Sequence, residues 1–249
     1  MFAPLASGRI GLAGWYFIGV LLFFVWGSYR ARRKVAVMPR LPSRVRHFTS
    51  TILMLGLTLA LALLVARAQG IRLYPPVFPR PLEIAAGLAV AAVLAVGMAP
   101  LWKRAVAKGD RRIYLFSPSD AKERALWIGV SFMAAVGEET CYRAVLYVLL
   151  LTLTGSTWAA AVLGALIFAG GHAVQSTRSM AIIFVFSLIF QALALWTGAL
   201  YVPMLAHFAY DVIAGLTYSK LVREMGYRAD GAPETTAFPA EHVTASDRA

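Results

Sequence analysis

Seven apolar stretches divide the chain: Leu12–Tyr29, Thr49–Ala66, Leu82–Leu101, Ala125–Leu151, Thr157–Ala173, Met180–Thr197 and Val202–Leu221. A hydrocarbon core of about 30 Å needs roughly 20 helical residues. The pattern therefore predicts an all-α fold, a polytopic transmembrane helical bundle of about seven spans. The fifth and sixth stretches are the shortest, and Gly170-Gly171 could begin a break in the fifth. The connections Thr152–Ser156 and Gly198–Tyr201 are short, so their flanking spans are expected to pack antiparallel. Pro75, Pro76, Pro79 and Pro81 mark an extended loop between the second and third spans, because proline removes donors and blocks helix.

Composition agrees with this class. Of 249 residues 59% are hydrophobic and 14% charged, and the mean hydropathy is +0.68. Soluble domains carry roughly 45–50% apolar and about 25% charged residues. The net charge of +12 does not point to nucleic acid, because no stacking residues interleave with a basic stripe. The positive charges flank apolar segments, where anionic lipid and topology account for them. The lone Cys141 excludes an internal disulfide and any cysteine-rich metal site. The first stretch has only Arg9 ahead of it and no clear small-residue cleavage site, so it reads as a retained span.

Orientation follows from Lys and Arg. Nineteen lie in the first-to-second, third-to-fourth and fifth-to-sixth loops and the C-terminal segment, against four (Arg9, Arg67, Arg72, Arg80) on the opposite side. The positive-inside rule places the N-terminus outside and the C-terminus in the cytoplasm, as in a bacterial inner membrane. From about Arg228 to Ala249 the chain is polar, proline-containing and expected to be disordered.

Charge inside the spans changes the picture. Glu138, Glu139 and Asp211 are the acidic residues well inside apolar stretches, joined by Arg143, His172 and His207. A mid-span Asp, Lys or Arg costs about 2.5–3.5 kcal/mol, and such residues usually face a bundle interior and mark function. Glu139 and Arg143 lie four apart, the favourable order for an ion pair on one helical face. Glu138 lies five before Arg143, roughly 140° around an ideal helix. This spacing makes Arg143 the partner of Glu139 and leaves Glu138 as the general base. His207 and Asp211 share a face of the last span, and Gly170-Gly171 before His172 permits close approach of another helix or a substrate backbone. Glu138, His172, His207 and Asp211 could polarise a water or hold a divalent metal. Cys141 reads as a small buried hydrophobe.

Three motifs carry a resemblance: Glu138-Glu139-Thr140-Cys141-Tyr142-Arg143 reads EExxxR, Phe168 to His172 reads FxxxH, and His207 to Asp211 reads HxxxD. In that order, on separate apolar helices, they resemble the CPBP family of intramembrane proteases, also called the CAAX protease and bacteriocin-processing, or Abi, family. The approach Thr197-Gly198-Ala199-Leu200-Tyr201-Val202-Pro203 is similar to that family's usual sequence as well. The resemblance divides the chain into a motif-free transmembrane region 1–124, a catalytic core 125–221 holding the last four spans, and a polar tail 222–249.

The resemblance implies peptide-bond hydrolysis within the membrane. Glu138 would activate water with help from His172, His207 and Asp211 would stabilise the oxyanion or complete the site, and Glu139 and Arg143 would be structural or substrate-orienting. The family is often described as metalloproteases, with zinc the first choice of metal, and a metal-free glutamate mechanism is also argued for it. Asp211 departs from the family's more common Asn; an ionised carboxylate repels an oxyanion, so Asp211 suits orienting His207, binding a metal, or acting while protonated. The expected partners are the bilayer and a lipid-anchored or membrane-embedded substrate, whether a C-terminal CAAX box, a bacteriocin leader or a regulatory membrane protein. Two other classes stay open: a non-catalytic scaffold or bacteriocin-immunity protein of the same fold, and an ion-coupled transporter.

Overall fold

The computed structural model of the chain describes residues 2–228. The tail expected to be disordered lies outside them, apart from Arg228. Each of the seven apolar stretches is helical. In chain order they are α1 (Leu12–Val37), α2 (Arg44–Gln69), α3 (Pro81–Ala107), a run of α4 (Ala121–Glu138), a π-helical stretch (Glu139–Leu146) and α5 (Tyr147–Thr154), then α6 (Thr157–Gly171), α7 (Thr177–Thr197) and α8 (Tyr201–Glu224). A 3₁₀ turn, Arg111–Phe116, precedes α4.

Four helices, α1, α2, α3 and α7, are long and apolar enough to cross a membrane by length and composition, and α6 is a shorter apolar helix. The α4–α5 run and α8 are less apolar because they carry the charged site residues. The chain is an integral membrane protein. Successive helices reverse direction. On one face Leu5 N–H donates to Thr152 Oγ1 (2.9 Å), Gly11 N–H to Gln69 Oε1 (3.0 Å) and Tyr201 O–H to the Pro75 carbonyl (3.0 Å). On the other, Arg32 donates to Thr177 (3.0 Å), Ser219 to the Pro118 carbonyl (2.7 Å) and Tyr227 to the Asp110 carbonyl (2.8 Å). Thus α8 runs past Leu221 to Glu224, and the start of the expected tail packs back on the 3₁₀ turn.

Sequence chemistry sets the helix ends. Ser43, Asp120, Ser156 and Ser176 accept backbone N–H bonds as N-caps, each closing donors the first turn leaves open. The two short hairpins turn at Gly155 (φ 64°) and Gly198 (φ 67°), a left-handed conformation that glycine adopts without a Cβ clash.

The π-helical stretch and α5 form the centre. Every residue from Cys141 to Leu151 is buried, and all but Arg143 belong to a cluster that includes Phe17 and Leu21 of α1, Val65 of α2 and Phe168 of α6. α5 is almost wholly apolar, as a helix enclosed by others is. The expected close approach at the diglycine is real: a Cβ on Gly170 would meet Val25 of α1 at 2.9 Å. Beneath the motifs a buried Arg44 ties α2 to α4. It donates to the Tyr114 carbonyl (2.8 Å) and to Ser119 (3.2 Å), and contacts Glu123 at 3.3 Å.

The seam between α4 and α8 is the tightest. A Cβ on Gly215 would lie 2.1 Å from Trp127 Nε1, whose N–H donates to the Asp211 carbonyl at 3.0 Å. Overpacking of this kind costs about 1–3 kcal/mol. Gly215→Val should lower the thermal midpoint in detergent by several degrees, whereas Gly19→Ala, with open space around it, should leave it unchanged or raised. Equal midpoints for the two variants would contradict this packing.

Candidate active site

Widening of the helix at Glu139–Leu146 is what assembles the site. The Val136 carbonyl accepts from the Glu139 N–H and also from Thr140 Oγ1 at 2.6 Å. Such side-chain competition loosens the regular ladder, and π-helical turns are frequent at functional sites. Here i→i+5 bonding replaces the ideal-helix geometry that separates Glu138 from Arg143 by about 140°.

Glu139 is fully buried and stands between two bases. Its Oε1 lies 2.8 Å from His207 Nδ1, and its Oε2 lies 3.2 Å from Arg143 Nε. The first contact is a hydrogen bond. The second is an ion pair without hydrogen-bond alignment, since Glu139 Oε2 and the Arg143 guanidinium nitrogens have no hydrogen-bond partner among the described residues. Arg143 instead lies over the Phe168 ring, 4.2 Å from its centroid, so charge and a ring face hold it.

The other nitrogen of His207 faces the remaining acids. Nε2 is 3.5 Å from Asp211 Oδ2 and 3.8 Å from Glu138 Oε2. The Phe190 ring stacks against the imidazole, centroids 5.4 Å apart. Glu138 and Asp211 retain side-chain exposures of 18% and 25%, against 0% for Glu139. The two carboxylates of the first motif are therefore unlike: Glu139 is internal, and Glu138 is reachable.

His172 sits at the C-terminal end of α6. Its Nδ1 is 2.9 Å from the Phe168 carbonyl. A carbonyl only accepts, so Nδ1 carries the proton in that bond and leaves Nε2 with a lone pair. His172, His207, Asp211 and Arg143 all act electrostatically on Glu138. The structure thus brings Glu138, Glu139, Arg143, His172, His207 and Asp211 into one polar cluster from three helical runs. Cys141 is buried, its thiol 3.6 Å from the Thr58 carbonyl, as a small core residue.

Among the described residues no three of His, Cys, Asp and Glu are grouped so as to hold a metal ion. One nitrogen of each histidine is already engaged, which leaves Glu138, Asp211 and the two Nε2 atoms as the donors a metal would have to draw together.

Residues 120–213 match the family model described as type II CAAX prenyl endopeptidase Rce1-like. The core is similar to the proteins of that model. The match opens at Asp120, the N-cap of α4, ends within α8, and contains all three motifs. It bears out the resemblance drawn from those motifs, and it makes this segment similar to that membrane protease family. No curated protein and no solved structure matches the chain.

Three neighbours of the Rce1-like site lie outside the motifs. Trp127 anchors the α8 backbone at Asp211; it precedes Glu138 by eleven residues, about three helical turns, and that shared face was its only sequence signal. Phe190 on α7 had none. Tyr74, in the proline-rich loop, shares a 2.7 Å hydrogen bond with Thr140 and stacks on Tyr201, centroids 6.4 Å apart. Burial raises the Tyr74 phenol above its ordinary value, so it stays a neutral donor at pH 7.

Removing one partner of a buried ion pair costs about 3–5 kcal/mol, because the other charge is left uncompensated. Arg143→Met should therefore strongly destabilise the protein in detergent, and the double variant Arg143→Met/Glu139→Gln should recover part of the loss. A double variant less stable than Arg143→Met alone would contradict the pairing. Tyr74→Phe should cost about 1 kcal/mol by the same measurement; no change would show that the loop is not held through Thr140.

Proposed function

We propose that the protein is an intramembrane endopeptidase, hydrolysing a peptide bond of a lipid-anchored or membrane-embedded substrate with water activated by Glu138. The observation that carries this reading is the division of labour around His207: a buried Glu139 on Nδ1 and the reachable Glu138 and Asp211 near Nε2.

The chemistry follows from the donors and acceptors. Glu138 takes a proton from water held between its carboxylate and the free Nε2 of His172, and the oxygen attacks the substrate carbonyl. Charge then develops on the carbonyl oxygen. His207, oriented by Glu139 and protonated on both nitrogens, presents Nε2–H as the donor that stabilises it. Glu138 returns the proton to the leaving amine. In this scheme Asp211 orients His207 and does not contact the oxyanion, which accommodates the departure from Asn. Glu139 and Arg143 position the imidazole and balance charge. No step requires a metal; zinc held by Glu138, His172, His207 and Asp211 would need those groups to close together first.

We place the protein in a bacterial inner membrane, with the C-terminus in the cytoplasm and the N-terminus outside, because the sequence assigns nineteen basic residues to the loops and terminal segment of one side and four to the other. The CAAX prenyl endopeptidase description of the matching family model makes a prenylated C-terminal CAAX peptide the first substrate to try.

Purified protein in detergent should cleave a peptide from a panel of farnesylated CAAX and unmodified membrane peptides. Glu138→Gln and His172→Ala should each reduce kcat/KM by about 10²–10⁴-fold, the range for a general base or its direct partner. Activity should survive chelation with 1,10-phenanthroline. Cleavage at the wild-type rate by both variants would sink the assignment. Loss of activity on chelation, restored by zinc, would replace the metal-free route by a metal-dependent one.

A further inference from the structure

At the basic end of α1, far from the motif residues in sequence, Trp26, Tyr29, Arg30, Arg33 and Lys34 line a shallow cavity of about 440 Å³. We propose that this is a binding site for an anionic phospholipid of the bilayer, with the acyl chain along α1 and the phosphate among the three cations. The proposal is independent of the hydrolytic reading.

Helix geometry separates this face from the rest of α1. Phe17, Ile18 and Leu21 turn into the core and are buried. Leu22, Phe23, Trp26 and Tyr29 turn outward, each about half exposed or more, and make an apolar stripe of the kind lipid covers. The stripe runs directly into Arg30, Arg33 and Lys34. At 1.5 Å per residue, Arg30 lies about 27 Å along the helix from Leu12, close to the ~30 Å thickness of a hydrocarbon core. The cations are therefore at headgroup depth.

Charge complementarity chooses the occupant. None of Arg30, Arg33 and Lys34 has an acidic partner among the described residues. Their neighbour Arg32 is turned the other way, donating to Thr177 of α7 at 3.0 Å, so the local cations are sorted between a helix contact and the outward cavity. Arg30 lies over the Trp26 ring, 4.6 Å from its centroid, which holds the guanidinium beside the interface and leaves its edge donors free for phosphate oxygens. Tyr29 adds an aromatic ring of the kind enriched at this depth. A zwitterionic headgroup would place its own cation among three others, which disfavours it.

Native mass spectrometry of the full chain, released from detergent containing equal phosphatidylglycerol and phosphatidylcholine, tests the site. Wild type should retain phosphatidylglycerol in preference, and Arg30→Gln/Arg33→Gln/Lys34→Gln should weaken that retention at least about tenfold, given roughly fivefold per basic residue near a lipid surface. A second variant, Lys103→Gln/Arg104→Gln/Lys108→Gln, loses the same charge from the same face and should retain the lipid like wild type. Equal retention of the two lipids, equal losses in the two variants, or displacement of the lipid by millimolar inorganic phosphate would each overturn the proposal.

Discussion

The polar cluster of the three motifs is organised by one buried carboxylate. Glu139 has no exposure and holds a histidine on one oxygen and an arginine beside the other. An isolated ionised carboxylate so placed is untenable, and the group survives only with partners. His207 must come from α8 and Arg143 from the same helical run, so the charge on Glu139 constrains how α8 docks against the centre of the fold. Trp127 and Gly215 complete that docking one turn and more away.

The same constraint produces reactivity next door. With Glu139 occupied, Glu138 is the first-motif carboxylate left facing open space, and Asp211 and His207 lie within 4 Å of one another across it. The neighbouring π-helical stretch makes this arrangement geometrically accessible, since an ideal α-helix would turn Glu138 away from Arg143. Stability and function therefore meet at Glu139, which pairs with Arg143 and holds His207. Their surroundings are dense: the run from Cys141 to Leu151 is buried throughout, and such packing lets a site hold its geometry inside a membrane.

The number and placement of the helices could be read from hydropathy, because a stretch near 20 apolar residues has few other stable states in lipid. The Rce1-like core could be read from three short motifs, since charged residues within apolar helices are too costly to be incidental. Pairing of Glu139 with Arg143 followed from i,i+4 spacing. The bond from Glu139 to His207 did not, because contacts between helices leave no periodic trace in a single sequence. Nor did the π-helical widening, which arises where Thr140 competes for a carbonyl. Tyr74 was hidden for a similar reason: prolines signalled its loop as extended but not where the loop would touch.

The relation between Glu139 and His207 can be measured directly by a double-mutant cycle in kcat/KM. Glu139→Gln, His207→Asn and the double variant would be compared with wild type on one cleaved membrane peptide. If Glu139 acts through His207, the double variant falls no further than His207→Asn alone, because residues working as a unit are non-additive. Fully additive losses would mean that the two side chains serve the reaction separately, contradicting the account.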